Sequence, residues 1–561
     1  MKNKVYKVPE NDKEIFVSPA INDCIELILS NIKKTSKYNF EISGVPFQVL
    51  RDKTRSELLQ KAELYTNKII SIIEKEKLLD DLCEKRKGYN FYINYKSLKN
   101  NFIIQTGHEP ILYHPGVWIK NHLTNYLTRK TNGIGINMIV DNDACNMGYM
   151  CAPNLFSKPP AIEKIQLVVD KNKFAYEEIL FNDIKVLTGF KEKNLTLINK
   201  NKKDKNVENT IEDMKFMFEE YINNVMIYYK IGCVDMVSLL TCARKILEKE
   251  FGICNLEIPV SSMSDSDSFN YFLLHFLYNA ERFAKIYNEK LAEYRNLHKI
   301  RSKVNPLPDL YIEDNLFELP FWIWKTGEPR GKCYVINGSD TINITDGSDV
   351  LITLGKNGDI SKSIYAIKDF RGKGIKIRPR AVTNTIFSRL FFADVFIHGI
   401  GGAKYDVITD EVIKEFFGIE PPSYITVSAT LFLPFGKYET DNKALRKLKY
   451  IIKDMKYNPE RYASAKVQNN PDYLSLVEEK RNLLKMINTC DKEEKNKHFY
   501  RIKELNGLLL TYITTEIQER YREMNKICED IAYNNVVKFR EYPIFIYPKR
   551  ILKEYFQKVF S

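Results

Sequence analysis

The spacing of apolar residues near the start of the chain changes from a helical period to a strand-like one, which predicts the opening of an α/β core. Over residues 57–86 apolar side chains recur every three or four positions, as in an amphipathic helix or a pair of helices leading into the core. The apolar run 101–106 ends at Gly107 and is typical of a short buried strand. Pro115 then suits the first turn of a helix, and a second strand is predicted over 134–140.

The order strand, helix, strand is the βαβ pattern of a parallel, doubly wound sheet. A third strand is predicted over 165–169. From 190 to 260 a lysine- and asparagine-rich loop is followed by helices, which we interpret as an insertion over the sheet. Helices continue over 269–301 and stop at the prolines Pro306 and Pro308.

The second half of the chain repeats this pattern. Strand-like runs resume at 321–324, 333–336 and 350–354. A unit that mirrors the first then follows, made of strand 375–378, helix 382–390, strand 393–398, the glycine-rich loop 399–402 and helix 404–417. It leads into a further central strand over 424–428. The sequence therefore predicts an α/β protein with a Rossmann-like, doubly wound parallel sheet and helical insertions.

Beyond Pro434 the pattern becomes one of long charged helices. Over 502–531 apolar residues alternate at steps of three and four, which indicates a coiled-coil seam within an antiparallel helical hairpin over 472–531. The seam could be buried within the hairpin or against a second chain, and we expect a homodimer through this hairpin. A short apolar segment over 542–548 and a final helix are expected to return to the core.

The 561 residues exceed what one hydrophobic core usually holds, so two to three structural units are expected. The predicted segments are an N-terminal helical and strand lead-in (1–100), the first half of the core (101–189), a mostly helical insertion (190–310), the second half of the core (311–436), a coiled-coil helical domain (437–540) and a C-terminal return segment (541–561).

Composition narrows the class of protein. The net charge of +13 is a mild excess for this length. The lysine run 191–205 has no interleaved aromatic residues and is interpreted as a solvated loop. Nucleic-acid binding is therefore not expected. A polar N-terminus and the lack of an apolar run of roughly 18 residues predict a soluble, cytoplasmic protein without a membrane partner. The ten cysteines form no CxxC pair and are expected to be reduced. A metal site that uses Cys145 and Cys151 is an alternative, but the spacing of the two residues matches no known ligand pattern. No metal ligand is therefore assigned.

Two loops stand out because each joins the carboxyl end of a predicted strand to the start of a helix, where backbone N–H groups favour anions. The first covers 105–110 and the second 398–406. The glycines could instead permit tight turns and the histidines could be structural. The pair of loops, with the acidic residues at 141–143 between them, favours a functional site at the edge of the sheet.

The side chains of these segments suit phosphoryl or acyl chemistry. His108 could donate a hydrogen bond to an oxyanion, and Lys120 and Lys404 could neutralise phosphate. Asp141 or Asp143 could hold a substrate amine or a ribose hydroxyl.

Arginines and tryptophans near the second loop allow two interpretations. Arg378 and Arg380 could bind a carboxylate or phosphate in a bidentate manner, or form structural ion pairs. Trp322 and Trp324 with Arg330 could form an aromatic wall beside a cation, although packing of the two rings in the core is slightly favoured.

Four segments carry a resemblance to a known family: TGHEPILYHPGVWIKN from 106, VDND from 140, FAKIYN from 283, and RPRAVTNTIFSRLFFADVFIHGIGGAKY from 378. In order and spacing the chain resembles a diverged member of the bacillithiol-biosynthesis cysteine-adding enzyme (cysteine ligase) family. The resemblance implies a Rossmann-like core related to class I aminoacyl-tRNA synthetases and nucleotidyltransferases, with helical insertions and a C-terminal coiled coil.

The family's motifs map onto this chain with substitutions. Its TGQQ-(A/P)-GL pattern falls on 106–112, with His108 and Glu109 in place of the two glutamines. Its EDHD pattern falls on 140–143, keeping both aspartates and placing Asn142 where the family has histidine.

The third motif, GGPGExxY, falls on 398–405, with Gly402 in place of the glutamate. The residues proposed for catalysis are His108, Glu109, Asp141 and Asp143. Those proposed to bind nucleotide or substrate are Thr106, Gly107, Lys120, Asn121, Asn142, Tyr287, Asn288, Arg378, Arg380, His398, Gly399, Gly401, Gly402, Lys404 and Tyr405.

The resemblance implies a ligase that forms a carbon–nitrogen bond between an amino acid, cysteine by analogy, and an amine of a small metabolite, with ATP or ADP as the cofactor. One alternative is nucleotidyl transfer or hydrolysis on the same core, with His108 and Glu109 as an acid/base pair. Another is a non-catalytic scaffold that uses the coiled coil as its binding surface.

Overall fold

The computed structural model describes residues 6–75, 102–146, 148–168, 172–201, 208–356, 359–487, 489 and 491–560. The chain divides into two compact units. The first comprises Met1–Ala152, Lys164–Phe432 and Arg540–Ser561, and the second comprises Pro153–Glu163 and Leu433–Phe539. No helix in the described part of the chain combines the length and apolar character needed to cross a membrane.

The strands, in chain order, are β1 Ile15–Ser18, β2 Glu41–Ile42, β3 Val45–Pro46, β4 Ile103–His108, β5 Ile134–Ile139, β6 Tyr149–Asn154, β7 Ala161–Gln166, β8 Leu256–Pro259, β9 Ile312–Glu313, β10 Leu316–Lys325, β11 Gly331–Asn337, β12 Thr341–Thr345, β13 Val350–Gly355, β14 Ile375–Pro379, β15 Val395–His398 and β16 Ile425–Ala429.

The α-helices are α1 Cys24–Thr35, α2 Phe47–Lys75, α3 Pro115–Thr131, α4 Ile184–Lys200, α5 Glu208–Lys230, α6 Met236–Glu250, α7 Val260–Ser264, α8 Asp267–Tyr278, α9 Ala280–Leu297, α10 Ile360–Gly372, α11 Ala381–Phe387, α12 Ile400–Phe417, α13 Asn442–Tyr457, α14 Ala465–Gln468, α15 Pro471–Met486, α16 Lys492–Tyr512, α17 Thr514–Val537 and α18 Lys549–Val559. A π-helical turn, Ser388–Phe392, follows α11.

The first unit contains a mostly parallel six-stranded sheet in the order β1-β16-β15-β4-β5-β8. Only β1, at one edge, runs antiparallel to its neighbour β16. β5 is buried along its whole length, which is expected of a parallel strand covered on both faces. The mixed α/β class is therefore confirmed, as are the predicted strands at 134–140 and 424–428 and the helix that begins at Pro115.

β4 differs from its prediction at its carboxyl end, because the strand continues through Gly107 to His108. Gly107 is not a turn residue but pairs with Met138 on β5. A Cβ at position 107 would lie 2.7 Å from the Met138 Cε atom, so the glycine allows the two strands to approach. His108 is consequently held at the end of a strand rather than in a free loop.

The runs at 321–324, 333–336, 350–354 and 375–378 do form strands, but their placement in the parallel sheet was wrong. They belong to a separate antiparallel sheet in the order β13-β12-β11-β10-β14, with β9 paired to β10. Short turns containing glycine connect successive strands, as in β-hairpins. The sequence interpretation also missed β12.

Two further expectations for the central region were wrong. The strand predicted at 165–169 is β7, which pairs with β6 in a two-stranded sheet, and the third strand beside β5 is β8. The lysine-rich run predicted as a loop is helical up to Lys200, since Phe190, Leu197 and Ile198 bury one face of α4. Residues 202–207 lie outside the described part.

The remaining helices also shift relative to the predictions. α2 begins at Phe47, well before 57, while the predicted portion 76–86 falls outside the described residues. α12 begins at Ile400, so the expected loop 399–402 is the first turn of a helix with Gly399 as its N-cap.

In the second unit, the helix predicted to run continuously through 502–531 is interrupted. α16 ends at Tyr512 and α17 begins at Thr514, with Ile513 between them. Ile513 is fully buried in an apolar cluster with Leu509 and Tyr473. Part of the predicted seam is therefore the internal core of this unit.

β15 and β4 are joined at their amino ends by the carboxylate of Asp394. Its Oδ2 atom accepts a hydrogen bond from the backbone N–H of Ile103 at 2.8 Å, and its own N–H donates to the Ile103 carbonyl at 2.8 Å. Its Oδ1 atom accepts from Arg51 at 2.8 Å and from Arg55 at 3.0 Å. Because burial lowers the pKa of Arg51 to about 10, that guanidinium depends on its carboxylate partner.

Replacing this carboxylate should destabilise the fold. Asp394→Ala leaves the buried Arg51 without its charge partner and the Ile103 N–H without an acceptor, and we expect it to reduce the free energy of unfolding by about 3–5 kcal/mol. Asp369→Ala is the matched control, because Asp369 pairs with Lys373 on the surface of α10 and its loss should change little. Chemical denaturation followed by circular dichroism measures both, and equal midpoints for the two variants would contradict the anchoring role of Asp394.

Candidate functional site

The carboxyl ends of β4, β5 and β15 open into one cavity of about 490 Å³ in the first unit. β15 lies beside β4 in parallel register, with Ile397 opposite Thr106, as the position of the two loops predicts. The predicted site residues that line the cavity are Gly107, His108, Glu109, Lys120, Asn142, Asp143, Arg380, His398, Gly399, Gly401, Gly402, Lys404 and Tyr405.

Six predicted site residues do not line it, and the first two support the sheet. The Thr106 hydroxyl donates to the Ile397 carbonyl at 2.9 Å and so ties β4 to β15. Asn121 donates to Glu248 at 2.7 Å within a buried polar network. Thr106 on β4 and Asn121 on α3 therefore support the elements that line the cavity without lining it themselves.

Asp141 and Arg378 belong to a second buried network. Asp141 accepts hydrogen bonds from the hydroxyl and the N–H of Ser261, at 2.5 and 2.9 Å, and burial together with nearby Glu177 raises its pKa to about 7. Arg378 pairs with Glu177 at 3.0 Å and with Asp265 at 2.9 Å. Their side chains are committed to neighbouring protein groups.

Tyr287 and Asn288 brace the segment that follows α9. The Tyr287 hydroxyl donates to the Pro308 carbonyl at 3.3 Å. The Asn288 side chain donates to the Leu310 carbonyl at 2.8 Å and accepts from the Leu310 N–H at 2.8 Å. These hydrogen bonds give Tyr287 and Asn288 of the FAKIYN segment a structural role.

Glu109 and Lys120 form the first wall of the cavity. The Lys120 ammonium on α3 donates to the Gly107 carbonyl at 2.6 Å, and Glu109 accepts from the Tyr176 hydroxyl at 3.0 Å. Burial lowers the pKa of Lys120 to about 7, while burial and then Asp143 raise the pKa of Glu109 to about 7. Each group can therefore gain or release a proton near neutral pH, as an acid or base must.

His108 lies beside these groups but differs in charge. Burial, followed by the charges of Lys120 and His114, holds the pKa of His108 well below its usual value. The imidazole is therefore neutral at neutral pH. In that form it can donate a hydrogen bond to an oxyanion, but it is a poor proton acceptor.

The second wall is the first turn of α12. Gly399 is the N-cap in extended conformation, and the first N–H groups of a helix have no intrahelical acceptor. A Cβ at Gly401 would meet no atom within 4 Å, so this position faces open space. A Cβ at Gly402 would lie 2.8 Å from the His398 Nδ1 atom.

The third wall includes Trp322 and Arg380. The guanidinium carbons of Arg330 and Arg380 each lie 4.0 Å from its ring centroid. Arg330 pairs with Asp143 at 2.6 Å, and Arg380 pairs with Glu318 at 2.7 Å. Trp322 borders the cavity beside Arg380, whereas Trp324 is buried and neither Trp324 nor Arg330 lines the cavity, so the predicted aromatic wall is present only in part.

Sequence reasoning missed several residues of the lining, among them Asn384, Arg540 and His114. The Nε atom of Arg540 and the Oδ1 atom of Asn384 are buried and have no hydrogen-bond partner among the described residues. Asn384 stands one helical turn after Arg380 on α11, a spacing that could have indicated it. Arg540 is distant in sequence, and no local pattern marks it.

The cavity lining combines the cations Lys120, Arg380 and Lys404, the first turn of α12 and the carboxylates of Glu109 and Asp143. This arrangement suits an anionic ligand that also carries an amine or hydroxyl donor. Within the described ranges no group of three or more histidine, cysteine, aspartate or glutamate side chains is placed to hold a metal ion.

The pKa values of Glu109 and Lys120 predict opposite effects of pH on two variants. Folded Glu109 keeps its proton up to about pH 7 whereas the unfolded chain loses it near 4.5, so the wild type loses stability across this range. Glu109→Gln should therefore gain stability relative to the wild type between pH 4.5 and 7, by at most about 1.4 kcal/mol per pH unit.

Folded Lys120 loses its proton near pH 7 whereas the unfolded chain keeps it up to about 10.5, so the wild type gains stability over that higher range. The advantage of Lys120→Met should be largest below pH 7 and should fall as the pH rises. Denaturant unfolding from pH 4 to 10 tests both variants. Differences from the wild type that do not change with pH would show that the two groups titrate normally.

No protein-family model and no curated protein matches the chain.

Proposed function

We propose that the cavity binds a nucleotide and that the protein is a ligase. It would join the carboxyl group of an amino acid, cysteine by resemblance, to an amine of a small metabolite. The observation that carries this proposal is that two glycine-containing segments, 105–110 and 398–406, end adjacent parallel strands and line one cavity. In open parallel sheets this edge is the usual place for nucleotide phosphates.

The chemistry requires an activated acyl group, because amide formation from a free carboxylate is unfavourable in water. In the proposed first step a carboxylate oxygen attacks the α-phosphorus of ATP, and pyrophosphate leaves. Lys120, Lys404 and the amino end of α12 lie where they would neutralise the phosphates. His108, neutral by burial, would donate a hydrogen bond to the developing oxyanion.

The strand order supports a Rossmann-like assignment of the core. Five neighbouring strands, β16, β15, β4, β5 and β8, are parallel, and α3 connects β4 to β5 while α12 connects β15 to β16. We propose that the fold is of this kind and that it acts in the cytoplasm. The motifs that resemble the cysteine-adding family contribute much of the cavity lining, which supports the same function.

The direct test is amino-acid-dependent exchange of labelled pyrophosphate into ATP. The ligase proposal predicts exchange with one or a few amino acids, cysteine first. Absence of both ATP binding and exchange with all twenty amino acids would overturn it. ATP turnover without any amino-acid dependence would instead favour nucleotidyl transfer or hydrolysis, with Lys120 replacing the expected His108 as the partner of Glu109 in the acid/base pair, because burial keeps His108 neutral.

Gly401→Val should abolish nucleotide binding without unfolding the protein. A Cβ at this position meets no protein atom within 4 Å, and we expect the valine methyl groups to occupy the space proposed for phosphate. Gly507→Val is the matched control, because Gly507 also lies in a helix with nothing within 4 Å of its Cβ position but belongs to the second unit. Calorimetric titration with ATP should show binding for the control only, and full affinity in Gly401→Val would refute the phosphate position.

His108→Ala should separate binding from turnover. The substitution removes a donor to the oxyanion but leaves the backbone of the phosphate-binding turn intact. We therefore expect ATP affinity to stay within a few-fold of the wild type while turnover falls by roughly 10²–10⁴-fold. A loss of ATP affinity as large as the loss of turnover would assign His108 to nucleotide binding instead.

We also propose a homodimer through a coiled coil formed by α15 and α16. Large apolar side chains on these helices are exposed, namely Leu474, Leu484, Met486, Phe499 and Leu508. Leu509 and Ile513, which the seam pattern highlights, are fully buried within the unit, so changing them would unfold it rather than probe an interface.

The dimer is tested by replacing both Phe499 and Leu508 with glutamate. Sedimentation at micromolar concentration should show a dimer for the wild type and a monomer for this double variant. Tyr365→Glu, which alters an exposed aromatic residue on α10 in the first unit, should leave the dimer intact. A wild-type monomer would contradict the proposal.

A further inference from the structure

His398 and Asp406 form a paired unit at the border of the cavity. His398 is the last residue of β15, and its Nε2 atom lies 2.6 Å from the Asp406 Oδ2 atom on α12. The negative charge of a carboxylate this close to Nε2 favours the tautomer that keeps the proton on this nitrogen. The lone pair of the neutral ring then resides on Nδ1.

The charge of Asp406 is held by its surroundings. The carboxylate is fully buried, and burial opposes its ionisation, yet His398 and Arg389 together lower its pKa below the usual value. Arg389 lies 3.0 Å from the same oxygen and also pairs with Asp410 at 2.5 Å. Asp406 is therefore a fixed anion behind the imidazole, which would stabilise an imidazolium.

The other ring nitrogen is left accessible by a glycine. No described residue forms a hydrogen bond with His398 Nδ1, whereas a Cβ at position 402 would lie only 2.8 Å from it. Any residue larger than glycine at 402 would crowd this nitrogen. His398 and Gly402 both line the cavity, so Nδ1 is open to a ligand there.

The two other histidines of the cavity lining lack these features. Burial and nearby cations hold the pKa of His108 well below its usual value, and burial and then Arg540 lower the pKa of His114 to about 3. His398, in contrast, is paired with a carboxylate. Among the histidines that line the cavity in the described chain, it is the one with a carboxylate in contact with its ring.

We propose that His398 is the general base for the second step of the reaction and that Asp406 positions it. This inference rests on the proposed ligase function and names a catalytic residue for it. The amine nitrogen of the acceptor attacks the acyl carbon of the aminoacyl-adenylate, and the new C–N bond forms as the C–O bond to phosphate breaks. The nucleoside monophosphate leaves with that electron pair, and the proton shed by the nitrogen passes to His398 Nδ1.

The test separates the two steps. In His398→Ala, amino-acid-dependent pyrophosphate exchange should stay within about three-fold of the wild type, while amide formation falls by roughly 10²–10⁴-fold. Added imidazole should restore part of the amide formation. Amide formation at the wild-type rate, an equal loss of both activities, or a loss that imidazole does not relieve would overturn the role of His398.

Failure of this inference is distinguishable from failure of the ligase proposal. A wild-type protein without pyrophosphate exchange contradicts the ligase function itself. A wild-type protein with exchange, together with unimpaired amide formation in His398→Ala, contradicts the general base alone.

Two further variants test the geometry. Gly402→Ala places a methyl group against Nδ1 and should lower amide formation by a larger factor than exchange. Asp406→Asn should lower kcat for amide formation and leave KM for the acceptor amine nearly unchanged, as expected of a positioning residue.

Asp410→Asn is the matched control for Asp406→Asn, because in the described part of the chain Asp410 pairs with Arg389, whereas the imidazole of His398 pairs with Asp406. It should retain amide formation close to the wild-type rate. An equal loss of kcat in Asp406→Asn and Asp410→Asn would show that the ion-pair network is only structural and would overturn the positioning role.

Discussion

The parallel alignment of β15 with β4 is the constraint on which the site depends. The Asp394 carboxylate holds it by accepting the Ile103 N–H and two arginines at the amino ends of the strands. At the other end the Thr106 hydroxyl bonds to the Ile397 carbonyl. A slip of one residue would turn every side chain of β15 to the opposite face of the sheet. The register thus brings two segments far apart in sequence to one cavity.

Burial is the second determinant of the site, because it changes the proton affinity of the groups that the strands bring together. Lys120 and Glu109 both reach pKa values of about 7 mainly through desolvation. Asp406 remains ionised in a buried position because Arg389 and His398 accompany it. Burial therefore has two outcomes in this site: Lys120 and Glu109 can exchange protons near neutral pH, whereas Asp406 keeps its negative charge.

The sequence predicted the parts of the fold that depend on local pattern. β5 and β16 were placed from their apolar runs, and α3 was placed from the proline at its start. The position of segments 105–110 and 398–406 after predicted parallel strands placed both segments at one edge of the sheet. Short apolar runs do not reveal whether a strand pairs in parallel or antiparallel fashion, so β10 and β14 were assigned to the wrong sheet. Arg540 and the Asp394 anchor depend on contacts between distant segments, which no local pattern records.

The central claim, that both segments form one nucleotide site, is tested most directly by hydrogen–deuterium exchange with and without ATP. Peptides covering the end of β4 and the first turn of α12 can be followed in the same experiment. The account predicts that ATP slows exchange in both peptides over the same concentration range. Slower exchange in only one of them, or at a different place while ATP is bound, would contradict it.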